Sequence, residues 1–397
     1  MRILSGFVTL PIFGCEGLKG FHGSGCTVPS SSSARLPPAL HRNGRFSGED
    51  FTSTLLRAQQ SSGAVAPTTS PAGNPVSALA EAALGLFGLD KPVRSFKGGE
   101  SVADAYDEWT DDGVVEHYWG EHVHLGYYDD KERRRGSFLK SFKKAKDDFV
   151  DEMLRFAKVS PGSPPKKVLD FGCGIGGTSR LLGKKFGEKT KVKGIAISPK
   201  QIERANELAK SQGVAKHVKF ECMDALNNSL PSNAFDLVWV CESTEHMKDK
   251  KKAINEITRI LKPGGKVVVA VWSQRDDSTV PFSTNEKKRL NYLYEQWSHP
   301  PFISINKFKD LMMDTGAYST VETADWAKET LPSWHHQIFL GVVDPLPWMT
   351  RPTKWKKLFT DAWCIHRMSE AFGRGLMQYG MLTAEKKKSP VRRLFKL

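Results

Sequence analysis

The 397-residue chain lacks a Cys-x-x-Cys pair: its six cysteines, at 15, 26, 173, 222, 241 and 364, are scattered. That argues against a zinc site and against a disulfide framework. It also lacks any run of 18 apolar residues, which argues against a spanning helix. Acids are scarce at both ends. Residues 1–80 carry six basic residues against three acidic ones, and the tail from Glu385 has a net charge of +5. The ends therefore supply +8 of the net +14, and the middle is only mildly basic. With no basic stripe across that middle, the charge does not point to nucleic acid as a partner.

What the first residues do contain is Ser, Pro, Gly, Ala and scattered arginine. That is the composition of a transit segment, expected over 1–78. The apolar stretch 3–14 behind Arg2 also resembles a secretory signal core, and the two in series suit a plastid reached through the secretory route. Residues 92–160 are expected to form an N-terminal helical lid. Its first part is dense in aromatics and histidines, among them Tyr106, Trp109, His117, His122, His124 and Tyr127. A helix is expected over 137–157.

Residues 168–177 read Val-Leu-Asp-Phe-Gly-Cys-Gly-Ile-Gly-Gly. Glycines 172, 174 and 177 satisfy G-x-G-x-x-G between a strand and a helix (178–186), a turn whose backbone can approach a nucleotide-like ligand closely. Further strands are expected at 191–197, 217–222, 235–241, 266–272, 319–326 and 377–386, and helices at 250–261 and 307–315. Ser198-Pro199-Lys200-Gln201 opens another helix, with Ser198 as N-cap and Gln201 closing a capping box. Alternating strands and helices predict a doubly wound, Rossmann-like α/β fold: a seven-stranded, mostly parallel sheet with helices on both faces.

Ligands of such sheets sit at the carboxyl ends of the strands. Those ends carry Asp170, Gly172, Cys173, Gly174 and Gly176, then Ala196 and Ile197, then Asp224 and Ala225, then Glu242. These are the candidate cofactor residues. A dinucleotide enzyme normally has an acid about 20 residues past the glycines; Ala196 stands there, and Asp224 can instead meet the amine of adenine.

Val168–Gly177, Asp224-Ala225, Phe235–Trp239 and Leu261–Gly265 together resemble the class I S-adenosylmethionine-dependent methyltransferases in order and spacing. Flanking strings narrow the likeness. Trp109–Gly113, His117–His122, Trp272–Asp277 and Gln296–Pro300 resemble the tocopherol and plastoquinone methyltransferases, with the cyanobacterial-type 2-methyl-6-phytyl-1,4-benzoquinol pattern nearest, over residues 100–385. The resemblance implies a cofactor core over 161–275, and over 276–388 the rest of the sheet with a helical cap at 330–376. A basic tail at 389–397 follows. It implies methyl transfer from S-adenosylmethionine to an aromatic carbon of a prenylated benzoquinol, at the ring position of tocopherol and plastoquinone synthesis or at that of γ-tocopherol. A non-catalytic cofactor-binding protein is the alternative of a different class.

A ring carbon becomes nucleophilic when a neighbouring phenol loses its proton, so a base is needed beside the ring. His246 and Glu245, just past the fourth strand, are the candidates. His122, His124, Tyr127, Trp297 and His299 are the candidate substrate residues, and no metal site is expected. Thr244 stands where the family usually has Gly, and Ala196 where it often has Thr. Tryptophans 326, 334, 348, 355 and 363 interleave with Lys354, Lys356, Lys357 and Arg367, a combination suited to a membrane interface. Peripheral attachment to a plastid membrane is the expectation.

Overall fold

The structure is a computed structural model that describes residues 91–388, apart from 93, 279, 345, 350–352 and 354. The expected transit segment (1–78) and basic tail (389–397) lie outside the described residues. Seven strands form one sheet in the order β3-β2-β1-β4-β5-β7-β6. They are β1 Lys167–Phe171, β2 Lys191–Ala196, β3 Val218–Cys222, β4 Phe235–Cys241, β5 Leu261–Gln274, β6 Glu322–Asp325 and β7 Met377–Glu385. Strands β1 to β5 pair in parallel; only β7 runs antiparallel, to both β5 and β6. The expected α/β class and strand count are what the chain adopts.

The central strands are apolar because both faces are covered. Leu237, Val238, Trp239 and Val240 of β4 are fully buried. One face packs Leu169, Ile195, Val238 and Val267 against helix residues Ile254 and Ile257. The other packs Val168, Leu237 and Trp239 with Phe149, Leu182 and Ala205.

Thirteen α-helices are described, of which eight position the site: α1 Gly99–Asp112, α2 Val114–Trp119, α4 Phe142–Phe156, α5 Gly177–Phe186, α6 Pro199–Ser211, α8 Thr284–Gln296, α11 Pro332–Val343 and α13 Trp355–Gly373. The single helix expected at 137–157 is two pieces. A short 3-10 turn spans Ser137–Leu139, Lys140 is extended, and Ser141 restarts the chain as N-cap of α4 by accepting from Lys144 N–H. The expected strand at 319–326 shortens to β6, an edge strand, since Trp326 ends it as the cap of the next helix.

Half of the expected capping box on α6 forms. Ser198 Oγ accepts the Gln201 N–H at 3.0 Å, but the Gln201 side chain does not return the bond; it lies toward the glycine turn, where a Cβ on Gly174 would stand 3.7 Å from its amide nitrogen. Helix α8 was not among the expected elements. Its signal is present as Ser283-x-x-Glu286, a complete capping box.

Candidate active site

The glycine turn is built by close approach. Gly172 has φ +93°, and a Cβ there would fall 2.3 Å from Ser243 Cβ in the loop after β4. Gly177, the first residue of α5, leaves no room either: its Cβ would meet the Glu121 carbonyl oxygen at 2.0 Å. The turn is thus pressed between the β4 loop and the N-terminal segment. Asp170, at the end of β1, is buried and accepts from Ser179 Oγ at 2.6 Å; burial pushes its carboxyl up to about 6.

A cavity of about 220 Å³ opens at the carboxyl ends of β1, β2, β3 and β4. Nine of the ten candidate cofactor residues line it: Asp170, Gly172, Cys173, Gly174, Ala196, Ile197, Asp224, Ala225 and Glu242. Gly176 does not. It caps α5 with φ +77° and packs against Phe220. Both carboxylate oxygens of Asp224 are used locally, by Leu226 N–H and Asn227 Nδ2, which fixes its orientation. The N-terminal segment roofs the cavity with Val102, Tyr106, His122 and His124. Burial holds both histidines below their ordinary range, His124 at about 3, so they are neutral. The cavity thus sets two carboxyls raised by burial, Asp170 and Glu242, and two neutral imidazoles around a close-packed glycine turn.

A second, larger cavity of about 350 Å³ adjoins the first. Its wall is apolar: Trp109, Val115 and Trp119 from the N-terminal helices, Trp272 from β5, Ile338 and Val342 from α11, and Phe359 and Ile365 from α13. Trp297 and His299 also line it, as does Glu245. Tyr106, Val123, Glu242 and His246 line both cavities and form the boundary between them. His122 and His124 therefore face the first cavity rather than the apolar chamber. Tyr127 faces neither; it packs edge-on against Trp326 at 5.2 Å.

The boundary is a set of mutually held titratable groups. His246 Nε2 lies 2.8 Å from Tyr106 Oη, and its ring stacks on His299 at 3.9 Å. Burial holds His246 neutral, at about 3, and raises Tyr106, so a neutral imidazole and a protonated phenol share the hydrogen bond. Glu245 Oε1 accepts from the Trp272 backbone N–H at 3.0 Å, while its buried Oε2 has no partner. Burial pushes the Glu245 carboxyl up to about 7. Lys250 Nζ donates to the carbonyls of Thr244, Glu245 and Met247, wrapping the turn that carries both candidates. Thr244 is fully buried inside that turn.

Glu242 has left-handed backbone, φ +46°, uncommon for this residue type and a mark of functional sites. Its Oε1 accepts from Leu125 N–H at 2.9 Å and from Tyr379 Oη, tying the N-terminal segment to β7; burial pushes the carboxyl up to about 8. Tyr106 is absent from the candidate residues read from sequence. It is one of many aromatics in 101–128, and only the fold brings it to His246, 140 positions away.

A nucleotide-like cavity at the strand ends, opening onto an apolar chamber through an acid–base boundary, defines an S-adenosylmethionine-dependent methyltransferase. Residues 169–269 match the family described as methyltransferase domain. Over 319 residues the chain is 42% identical to 2-methyl-6-phytyl-1,4-hydroquinone methyltransferase of Synechocystis sp., covering 80% of this chain and 96% of that protein. It is 34% identical over 297 residues to a probable chloroplastic tocopherol O-methyltransferase of Oryza sativa subsp. japonica, covering 72% of this chain and 78% of that one. The chain belongs to the family of these methyltransferases. The crystal structure of geranyl diphosphate C-methyltransferase from Streptomyces coelicolor A3(2), with geranyl diphosphate and S-adenosyl-L-homocysteine, shares the fold, at 18% identity and a TM-score of 0.56, over 74% of this chain and all of that one.

Proposed function

We propose that this chain methylates a ring carbon of a prenylated 1,4-benzoquinol. The observation that carries the reading is the shared wall of Tyr106, Glu242 and His246, through which a donor in the first cavity meets an acceptor ring in the second. Asp170, the glycine turn, Ala196, Ile197, Asp224 and Ala225 would hold S-adenosylmethionine, with Glu242 near its charge. Bound there, it supplies an electrophilic methyl group. The chain's own residues do the rest. Glu245, ionised, takes the proton from the hydroxyl beside the reacting carbon, its Oε2 being a buried carboxylate oxygen without a partner. Once the methyl has left the sulfonium for the ring carbon, the oxygen regains a proton from Glu245 and the methylated carbon releases its hydrogen to solvent as a proton, which restores the aromatic diol. His246, pinned by Tyr106 and His299, orients that hydroxyl. The tryptophans exclude water and hold the ring in line.

A prenyl tail needs an apolar exit. Val342, Trp355 and Phe359 line the chamber and are also exposed, by 71%, 41% and 50%. Phe339, Val343 and Met349 of the same cap are exposed too, which supports a cap (330–376) that rests on a membrane. Trp334, by contrast, is core, fully buried against Trp272. No helix of the described residues is long and apolar enough to cross a membrane, so attachment is peripheral in this reading. The chloroplastic name of the rice relative and the acid-poor, arginine-dotted N-terminus support a plastid location.

The test offers labelled S-adenosylmethionine with 2-methyl-6-phytyl-1,4-benzoquinol, its solanesyl analogue and γ-tocopherol. The benzoquinols are expected to turn over fastest. Folded protein that binds the cofactor yet transfers label to none of the three would overturn the proposal, and a preference for γ-tocopherol would move the substrate to the chromanol.

A further inference from the structure

One polar side chain in the chamber wall has no role in the reaction as described. Gln337, on α11, lines the chamber beside Ile338 and is 6% exposed. Both polar atoms of its amide are buried and hydrogen-bond to nothing. A buried amide without partners is a cost that a nonpolar residue of the same length would avoid, and native proteins rarely carry one idly. Helix α11 is not placed to relieve it by shifting. Trp334 is fully buried and packs on Trp272 at 5.4 Å, and Ser333 Oγ accepts the Gly126 N–H at 2.8 Å. One turn beyond Gln337, on the same face, Gly341 also lines the chamber, and a Cβ there would meet nothing within 4 Å. The wall around the amide therefore has room for a ligand.

A 1,4-diol ring presents oxygens at opposite ends. When one end meets Glu245 in the loop after β4, the other is directed away from it, toward another part of the wall. Resting on the benzoquinol reading above, we infer that Gln337 hydrogen-bonds the hydroxyl para to the one deprotonated by Glu245, and so selects a para-diol over a monophenol. The amide can accept from that hydroxyl through its oxygen or donate to it through its nitrogen. Selectivity follows because a monophenol leaves the buried amide unpaired, and a site built to hydrogen-bond a hydroxyl discriminates against the analogue without it.

The experiment measures kcat/KM on 2-methyl-6-phytyl-1,4-benzoquinol and on the analogue lacking the para hydroxyl, for the wild type, Gln337→Leu and Gln337→Met. The wild type is expected to favour the diol by about tenfold or more, the scale of one buried hydrogen bond. Each variant is expected to lose about that factor on the diol and to turn over the monophenol at least as fast as the wild type, since no amide is then left unpaired. Calorimetric cofactor affinity and thermal denaturation report folding, and the second variant serves if the first is unstable. Equal losses on both acceptors, or a wild type without preference, would overturn the assignment while leaving the benzoquinol reading intact. No turnover of the diol by the wild type would overturn that reading itself.

Discussion

Glu245 and His246 are neighbours in sequence with opposite electrostatic fates. Glu245 is buried and His246 largely so, and burial disfavours whichever form is charged. The carboxyl is therefore pushed up to about 7 and the imidazole down to about 3. Near neutrality the carboxyl is poised to take a proton, and the imidazole is a fixed neutral contact. The expected consequence is a kcat/KM that rises with pH through a limb above the ordinary carboxylate range, as the buried Glu245, which faces the Lys250 ammonium, loses its proton. Glu245→Gln should abolish that limb and lower turnover by about 10²- to 10⁴-fold, the usual worth of a general base. The same limb persisting in Glu245→Gln would assign the base elsewhere. If the ring orients the acceptor as proposed, His246→Ala should reduce turnover more than cofactor affinity. The sign for stability runs the other way. A carboxyl raised in the folded state favours folding below its unfolded value, near 4.5, and that contribution is lost as pH rises through about 7 for Glu245 and about 8 for Glu242.

At the scale of elements, the N-terminal segment and the glycine-turn helix hold each other. Arg180 on α5 is 1% exposed, and its guanidinium donates to Glu121 Oε2 at 2.7 Å and to the Ile175 carbonyl. Beside this contact, Gly177 leaves space only for the Glu121 backbone. Gly177→Ala is expected to force the roof outward, costing about 1–3 kcal/mol of stability and weakening cofactor binding. Thermal denaturation and calorimetry check both; a variant with wild-type melting temperature and affinity would contradict the contact.

Most of this frame was legible in the sequence. Strand β4 is an unbroken apolar run, the glycine turn dictates its own geometry, and Ser198-Pro199 announces α6. Less legible was which member of a crowded class does the work. Tyr106 and Tyr127 are both tyrosines of one aromatic segment, yet one touches His246 and the other packs on Trp326. That choice depends on tertiary packing, which leaves no local periodicity to read. The chamber is harder still, since its wall is assembled from segments around 109–123, 242–246, 272, 297–299, 337–342 and 355–365. Gln337 carried no signal at all.

Across the whole molecule, the cofactor cavity lies in the sheet's own carboxyl edge and the chamber is completed by α1, α2, α11 and α13. Of the ten large apolar side chains exposed among the described residues, six fall in the cap: Phe339, Val342, Val343, Met349, Trp355 and Phe359. In the proposed reading this is the surface that meets lipid. Val343→Glu with Met349→Glu, both exposed on the cap and outside the chamber wall, is expected to reduce flotation with anionic liposomes while leaving turnover of a short-tailed, detergent-dispersed quinol near wild type. Undiminished flotation would remove the cap from membrane binding.

In the proposed reaction a methyl group passes to carbon across the boundary of Tyr106, Glu242 and His246. The most direct measurement is the position of the label in the product, by NMR, after reaction of carbon-13 methyl-labelled S-adenosylmethionine with 2-methyl-6-phytyl-1,4-benzoquinol. A labelled methyl on the aromatic carbon next to a free hydroxyl is the predicted result. Label on a phenolic oxygen would contradict it.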